Sequence, residues 1–177
     1  MAESFTNALS RAVGVVTTSN AGSIGVTTNL ITGVSTAAVS VGYLIDNTNF
    51  IGGTKVSSVG VGEIVADRNS TNTSATSSQT INFVGLTTVY SSPADTKSIL
   101  IGGTLSNNTN NQVTTTVQVS SGSTSYNLLY KVPVPAGSSV VISDAGKTLL
   151  LANDQIRVAA SAANSLDVSL SVLTGVS

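Results

Sequence analysis

The 177-residue chain contains no cysteine, no histidine and no tryptophan, and only three prolines. It therefore forms no disulfide, and it lacks the usual thiol nucleophile, the commonest general base and the main zinc ligands. Charge is scarce too: 8% of the residues are charged and the formal net charge is −1, whereas roughly 25% are charged in an ordinary soluble domain. Together these absences argue against an enzyme.

The shortage of charge also limits the partners that we expect. Binding to nucleic acid requires a basic patch that neutralises phosphates, but the seven lysines and arginines are scattered. No apolar run approaches the roughly 18 residues that span a membrane. The N-terminal "MAESFTNALSR" lacks the basic start and apolar core of a secretory signal. We expect no nucleic-acid partner, no membrane span and synthesis in a cytoplasm.

The carboxylates suggest no active site. A glycosidase needs two carboxylates across one sugar bond, and sequence alone nominates no pair among the eight separated acids, namely Glu3, Asp46, Glu63, Asp67, Asp95, Asp144, Asp154 and Asp167. No S-x-x-K, P-loop or dinucleotide-binding glycine pattern occurs. The oxygen-rich "DNTN" (46–49) lacks the remainder of an EF-hand loop, so we interpret it as a turn. We predict no catalytic, cofactor-binding or metal-binding residue.

The residues that replace charge are small, neutral and typical of strands. The chain has 28 serines, 24 threonines and 24 valines, and valine and threonine favour β-structure. We predict an all-β fold with faces covered by hydroxyl groups. Because so little charge discourages association, we expect a subunit that is covered by copies of itself or by partners. The alternative is a neutral, hydroxyl-coated monomer.

The second half of the chain is the more regular part. In "KVPVPAGSSVVI" (131–142), two prolines close one valine-rich strand, a glycine permits the turn and a second strand begins. Similar alternations surround this corner: valines at 113, 117 and 119, then Ile156 with Val158, and finally "LDVSLSVL" (166–173). Six or seven short strands with frequent turns predict an antiparallel β-sandwich over residues 84–177.

The first half is less regular. We predict an N-terminal arm or first sandwich strand over residues 1–20, although the spacing of Phe5 and Leu9 also permits a short helix. Residues 21–83 are predicted to form a smaller β-rich module, with alternating pairs such as Ile81 and Phe83. The polar stretch 68–79 indicates an exposed loop.

Tyrosines are the main aromatic residues of the chain, at 43, 90, 126 and 130. Such rings can form a platform on which sugars stack. Tyr126 and Tyr130, however, have the even spacing of one strand face, and we predict that they pack in the core.

Half of the chain resembles small virion structural proteins of tailed bacteriophages, particularly those of marine cyanobacteria. The similar stretches are "GLTTVYSSPADTKSILIGGTLSNNTNNQVTTTVQV" (85–119), "YNLLYKVPVPAGSSVVIS" (126–143) and "LLLANDQIRVAASAANSLDVSLSVL" (149–173). The beginning "SFTNALSRAVGV" also resembles such proteins, which would make the following module an insertion. Within it, "GVSTAAVSVGYLIDNTNFIGGTKVSSV" (33–59) is similar to a β-rich phage element but has Gly52 and Gly53 where Pro usually precedes Gly-Thr.

The resemblance implies a non-enzymatic virion protein that is synthesised in the host cytoplasm. It implies foremost a head decoration protein that covers or stabilises the capsid, and next a neck or tail accessory protein. Its partners would be capsid, neck or tail proteins and copies of itself, most simply in a homotrimer that follows the local symmetry of phage shells and tails. The alternative is a receptor- or carbohydrate-binding module on a phage fibre.

Overall fold

The computed structural model describes residues 3–142 and 146–176, and it is all-β, as predicted. The first eight strands are β1 (Ser4–Val13), β2 (Val15–Ile24), β3 (Leu30–Thr32), β4 (Leu44–Asp46), β5 (Val56–Val59), β6 (Glu63–Ala66), β7 (Thr76–Gly85) and β8 (Thr87–Ser91). The other seven are β9 (Lys97–Asn107), β10 (Val113–Ser121), β11 (Thr124–Val134), β12 (Ser139–Ile142), β13 (Thr148–Leu150), β14 (Gln155–Ala160) and β15 (Leu166–Val176). The described residues contain no helix able to cross a membrane.

The chain divides into two compact units, one of which is discontinuous. The first unit contains residues 1–15 and 87–177, and the second contains residues 16–86. The predicted boundary after residue 20 therefore falls inside β2, whose residues from Val16 onward belong to the second unit.

The first unit is a sandwich of two antiparallel sheets. One sheet has the order β1-β15-β9-β12, with β13 also paired to β9, and the other has the order β11-β10-β14-β8. Both sheets contribute to one core because alternate residues face inward. From β15 the core takes Leu166, Val168, Leu170 and Val172, and it meets Val117 of β10 and Val158 of β14. The alternations predicted for β14 and β15 are confirmed by their burial, whereas β10 is buried on both faces, including Gln118 at 2% exposure.

The corner at residues 131–142 has the predicted arrangement. β11 ends at Val134, Gly137 adopts a positive φ of 62° in the turn, and β12 begins at Ser139. Asn107 holds the corner, because its side-chain amide donates to the carbonyl oxygens of Val134 and Pro135 at 2.9 and 3.1 Å. Pro133 lies within β11, where the missing N–H is tolerated because β11 is an edge strand.

The second unit is a six-stranded sheet that closes on itself. Its strand order is β4-β7-β2-β3-β6-β5, and the two end strands are joined by the bridge between Leu44 and Lys55. Backbone N–H groups of Ile45 and Val56 donate across this seam, to Thr54 and Tyr43 respectively. The unit is therefore a small barrel, and its interior includes Ile31, Ile64, Ile81 and Phe83.

In the less regular half, one alternative is excluded and one prediction holds only in part. The segment "SFTNALSRAV" is the strand β1, so the helical alternative fails. It pairs with β15 from Ser4 opposite Thr174 to Val13 opposite Leu166. Most residues of the stretch 68–79 are exposed, as predicted, but β7 starts at Thr76 and Ser70 is buried.

Candidate functional site

Three of the acids are hydrogen-bonded to the backbone. The carboxylates of Asp67, Asp154 and Asp167 accept backbone N–H groups at 2.9 Å each, from Lys55, Leu151 and Ala12 respectively. Across the described ranges 3–142 and 146–176, no cluster of three or more acidic residues could hold a metal ion. Asp144 lies outside the described residues.

The stretch "DNTN" has the turn geometry that we predicted. The Asn47 carboxamide oxygen accepts the backbone N–H of Asn49 at 2.9 Å, and the Asn47 amide nitrogen donates to the Thr80 carbonyl oxygen at 3.0 Å. This use of an Asn side chain fixes a loop of the barrel.

Asp167 joins β15 to the end of β1. Its pKa is lowered first by the Ala12 N–H, then by the Asn108 side chain and by the positive charge of Arg11, since each of these favours the ionised carboxylate. Ala12 has a positive φ of 53° and lies where the register between β1 and β15 shifts. The carboxylate therefore supports a strained backbone position.

The most unusual surface is the outer face of the five-stranded sheet. Cross-strand pairing places Phe5 opposite Leu173, Leu173 opposite Ile99 and Ile99 opposite Leu149. We call these four residues the apolar row. Phe5 is 74% exposed and Leu149 is 53% exposed, while Ile99 and Leu173 are half-buried between them. With strands about 4.8 Å apart, the row is about 14 Å long.

Small polar residues lie beside the apolar row, and the same face also has two charged residues, Lys97 two positions before Ile99 and Asp167 two positions before Ser169. One further cross-strand row on the same face runs from Leu9 through Ser169 and Thr104 to Val141, both of whose ends are exposed. Between the two rows, Asn7 pairs with Ser171. Apolar side chains therefore alternate with small polar ones on this face, and none of these positions is charged.

Strand β1 is an edge of the sandwich with little protection. Among the described residues it pairs only with β15, so its other side presents unpaired backbone groups. Edges are commonly protected by charge, proline, bulges or short length. The edge β11 has Pro133, Lys131 and two register shifts, and β8, β12 and β13 span five residues or fewer. From Ser4 to Ser10, β1 has none of these protections.

Hydrogen bonds that stabilise the fold account for the polar residues of a groove at one end of the sandwich. It has a volume of about 680 Å³ and lies between residues 106–110 and 136–139. Asn107, which lines it, is buried, and its amide donates to the carbonyl oxygens of Asn111, Val134 and Pro135. Its carboxamide oxygen accepts the N–H of Thr109 at 2.9 Å. These contacts account for the asparagine-rich loop without a ligand.

The two tyrosines of β11 were predicted to pack in the core, but both are exposed. Tyr126 is 62% exposed and Tyr130 is 38% exposed. Register shifts between β10 and β11 interrupt the alternation on which the prediction depended. Lys131, at the second irregularity, has a φ of 47°, and its ammonium lies 5.9 Å from the centre of the Tyr130 ring.

Sequence reasoning missed the apolar row because its members come from four strands. Ile99, Leu149 and Leu173 are ordinary residues of apolar segments, and only the register places them side by side with Phe5. One local signal was present: "TLLL" (148–151) puts adjacent leucines on opposite faces of a strand, so one of Leu149 and Leu150 must face solvent.

In comparisons with known proteins, no family model, curated protein or solved structure matches this chain.

Proposed function

We propose that the chain is a non-enzymatic structural subunit of a tailed-phage virion. We place it foremost on the head as a decoration protein and secondly on the neck or tail as an accessory protein. The observation that carries the proposal is the apolar row on the outer face of the five-stranded sheet. An apolar strip that crosses a whole sheet is characteristic of a surface that binds another protein.

Composition and the sequence resemblance support the same proposal. A surface coated with serine and threonine, with 8% charged residues, is suited to close packing among neutral neighbours, because little charge has to be desolvated. A decoration or accessory protein needs a stable scaffold and a binding face, which the sandwich and its outer sheet provide. The homotrimer expected from the symmetry of phage shells stays a prediction.

The test is co-sedimentation of purified protein with empty capsids and with isolated tails. We expect the wild-type chain to bind one of these particles and Leu149→Lys to bind it at least tenfold more weakly. The exposed hairpin residue Ser123 provides a matched control, since Ser123→Lys adds the same charge away from the outer face. Absence of binding to both particles, or equal binding by both variants, would contradict the proposal.

A receptor- or carbohydrate-binding role on a fibre is the second candidate, and the exposure of Tyr126 and Tyr130 is the observation that favours it. Exposed rings can stack on sugars, although the interrupted alternation of β11 does not provide a regular platform. Binding of the wild-type chain to a bacterial surface glycan, lost in Tyr126→Ala or Tyr130→Ala, would favour this candidate over the virion subunit.

A further inference from the structure

The exposed edge β1 carries a sequence that is complementary to itself. Around Asn7 as centre, an antiparallel pairing of two copies places Phe5 opposite Leu9 and Asn7 opposite its own equivalent. The same register places Glu3 opposite Arg11, so the outermost pair has opposite charges. Apolar side chains paired across strands bury each other's surface and opposite charges attract, so both kinds of pair favour this antiparallel register.

From this pattern we propose that two copies of the chain associate through β1, edge to edge, about a twofold axis at Asn7. The occupant of this edge is thus a second copy of the same chain. The contact is isologous because each partner presents the same strand in the opposite direction. It joins two five-stranded sheets into one continuous sheet, and it satisfies the backbone groups that the edge leaves unpaired.

The environment of each paired residue agrees with this register. Phe5 and Leu9 are 74% and 73% exposed and lie on the same face of β1. In the dimer each ring would contact the partner's Leu9, which extends the apolar row across the twofold axis. The register shift between β1 and β15 begins only after Ser10, so residues 4–10 form a regular strand for pairing.

The charged pair has a second neighbour that limits its contribution. Arg11 is close enough to Asp167 to help lower the pKa of that carboxyl group. In the dimer, Arg11 would therefore lie between Asp167 of its own chain and Glu3 of the other. For this reason the central residues Phe5, Asn7 and Leu9 carry the proposal, and the terminal pair supports the register.

The contact also differs from the trimer implied by the phage resemblance. Antiparallel pairing of identical strands generates a twofold axis, so a threefold assembly would require another surface. The inference does not depend on the proposed function, because self-association is measured on the purified chain without any particle. One pair of strands buries less than a standard interface, so we expect a concentration-dependent equilibrium between monomer and dimer.

Single cysteines test the register directly, since the native chain has none. Under mild oxidation, or with a short thiol cross-linker, Asn7→Cys should form a covalent dimer. Phe5→Cys alone and Leu9→Cys alone should remain largely uncrosslinked, whereas an equimolar mixture of the two should cross-link. All three positions are exposed, so the variants should fold, which far-UV circular dichroism checks. Equal cross-linking at every position, or none at Asn7→Cys and none in the mixture, would overturn the proposal.

Sedimentation equilibrium over a wide concentration range provides the second measurement. The wild-type chain should approach twice its 17.7 kDa monomer mass, and Phe5→Lys should raise the dimer dissociation constant at least tenfold. Leu149→Lys is the matched control, because it adds the same charge to the same face at a distance from the edge. A monomer at every concentration, a trimer, or equal loss of association in both variants would refute pairing through β1.

Discussion

Gly14 lies between β1 and β2, with a φ of +135°. A Cβ atom at this position would overlap the carbonyl oxygen of Ala162. The Gly14 carbonyl oxygen accepts the N–H of Asn164 at 3.1 Å, which holds the backbone of Gly14 against the segment that contains Ala162. Both the conformation and the close approach therefore require glycine here.

We predict that Gly14→Ala destabilises the first unit by about 1–3 kcal/mol, the usual cost of a strained backbone position. Thermal or urea denaturation, followed by circular dichroism, measures the loss. Gly122→Asn is the control, because Gly122 has a φ of 56°, a Cβ atom there would meet no other atom within 4 Å, and asparagine tolerates that conformation. Equal stability of Gly14→Ala and the wild-type chain would contradict this account.

Asp167 makes the attachment of β1 dependent on pH. Because its pKa is lowered in the folded chain, the ionised carboxylate stabilises the fold at a pH above the ordinary aspartate pKa of about 3.9. This contribution is lost as the pH falls through the lower folded value. We predict faster hydrogen exchange of the Ala12 amide at that acidic pH than at pH 5, after correction for the intrinsic exchange rate.

The variant Asp167→Asn should remove most of this pH dependence, while Asp95→Asn, at an exposed carboxylate, should leave it intact. Protection of Ala12 that is the same at both pH values in the wild-type chain would show that Asp167 does not support this end of β1.

Among the elements, the loop before β7 shows how a polar stretch becomes ordered. The Ser70 hydroxyl accepts the Thr28 N–H at 3.1 Å, and the Ser70 N–H donates to the Thr28 carbonyl oxygen at 2.7 Å. The Asn72 amide donates to the carbonyl oxygen of Gly25 at 3.0 Å. Hydrogen bonds within the barrel, not apolar burial, therefore hold this loop.

We predict that Ser70→Ala destabilises the barrel by about 1–3 kcal/mol, because it leaves the Thr28 N–H without its acceptor. The exposed residue Ser74 provides the control, and Ser74→Ala should change stability by less than about 0.5 kcal/mol. Urea denaturation of the two variants compares them. If the two variants have the same stability, Ser70 is not an anchor of the loop.

Comparison of β15 with β1 shows what the sequence could predict. β15 alternates strictly, and its four inward residues were identified because burial follows the two-residue period. β1 is mostly exposed on both faces, so its pattern carries no such signal. Its strand conformation depends on pairing with β15 at the other end of the chain. Local spacing therefore permitted a helix that long-range pairing excludes.

Local sequence spacing also could not predict the apolar row. Inward positions could be identified from the sequence, but the apolar row requires the register of four strands. On β11, two register shifts moved Tyr126 and Tyr130 out of the predicted core, and no sequence period marks such irregularities. Side-chain alternation was predictable, whereas cross-strand neighbours were not.

At the scale of the whole molecule, each unit has its own hydrophobic core. The sandwich core includes Leu170, the barrel core includes Phe83, and the two clusters share no residue. Units with separate cores can open as separate cooperative segments. Each unit should therefore have its own free energy of unfolding, and measurements that resolve individual segments can distinguish the two values.

We predict that Phe83→Ala speeds hydrogen exchange within residues 16–86 and that Leu170→Ala speeds it within residues 87–176. Each substitution should cost its own unit about 2–5 kcal/mol, since both side chains are fully buried. Peptide-resolved exchange mass spectrometry distinguishes the units, and each variant serves as the control for the other. Equal acceleration in both units would indicate one cooperative structure.

The discontinuous sandwich also determines the order in which the protein can fold as it is synthesised. β1 is made first but pairs with β15, which is made last, whereas all six barrel strands are complete by Gly85. At about 5–20 residues per second, roughly 8 to 30 s separate the synthesis of β1 from that of its partner. A nascent chain that stops before residue 166 would contain a finished barrel and an unpaired first strand. Synthesis of β15 is therefore a condition for completing the sandwich.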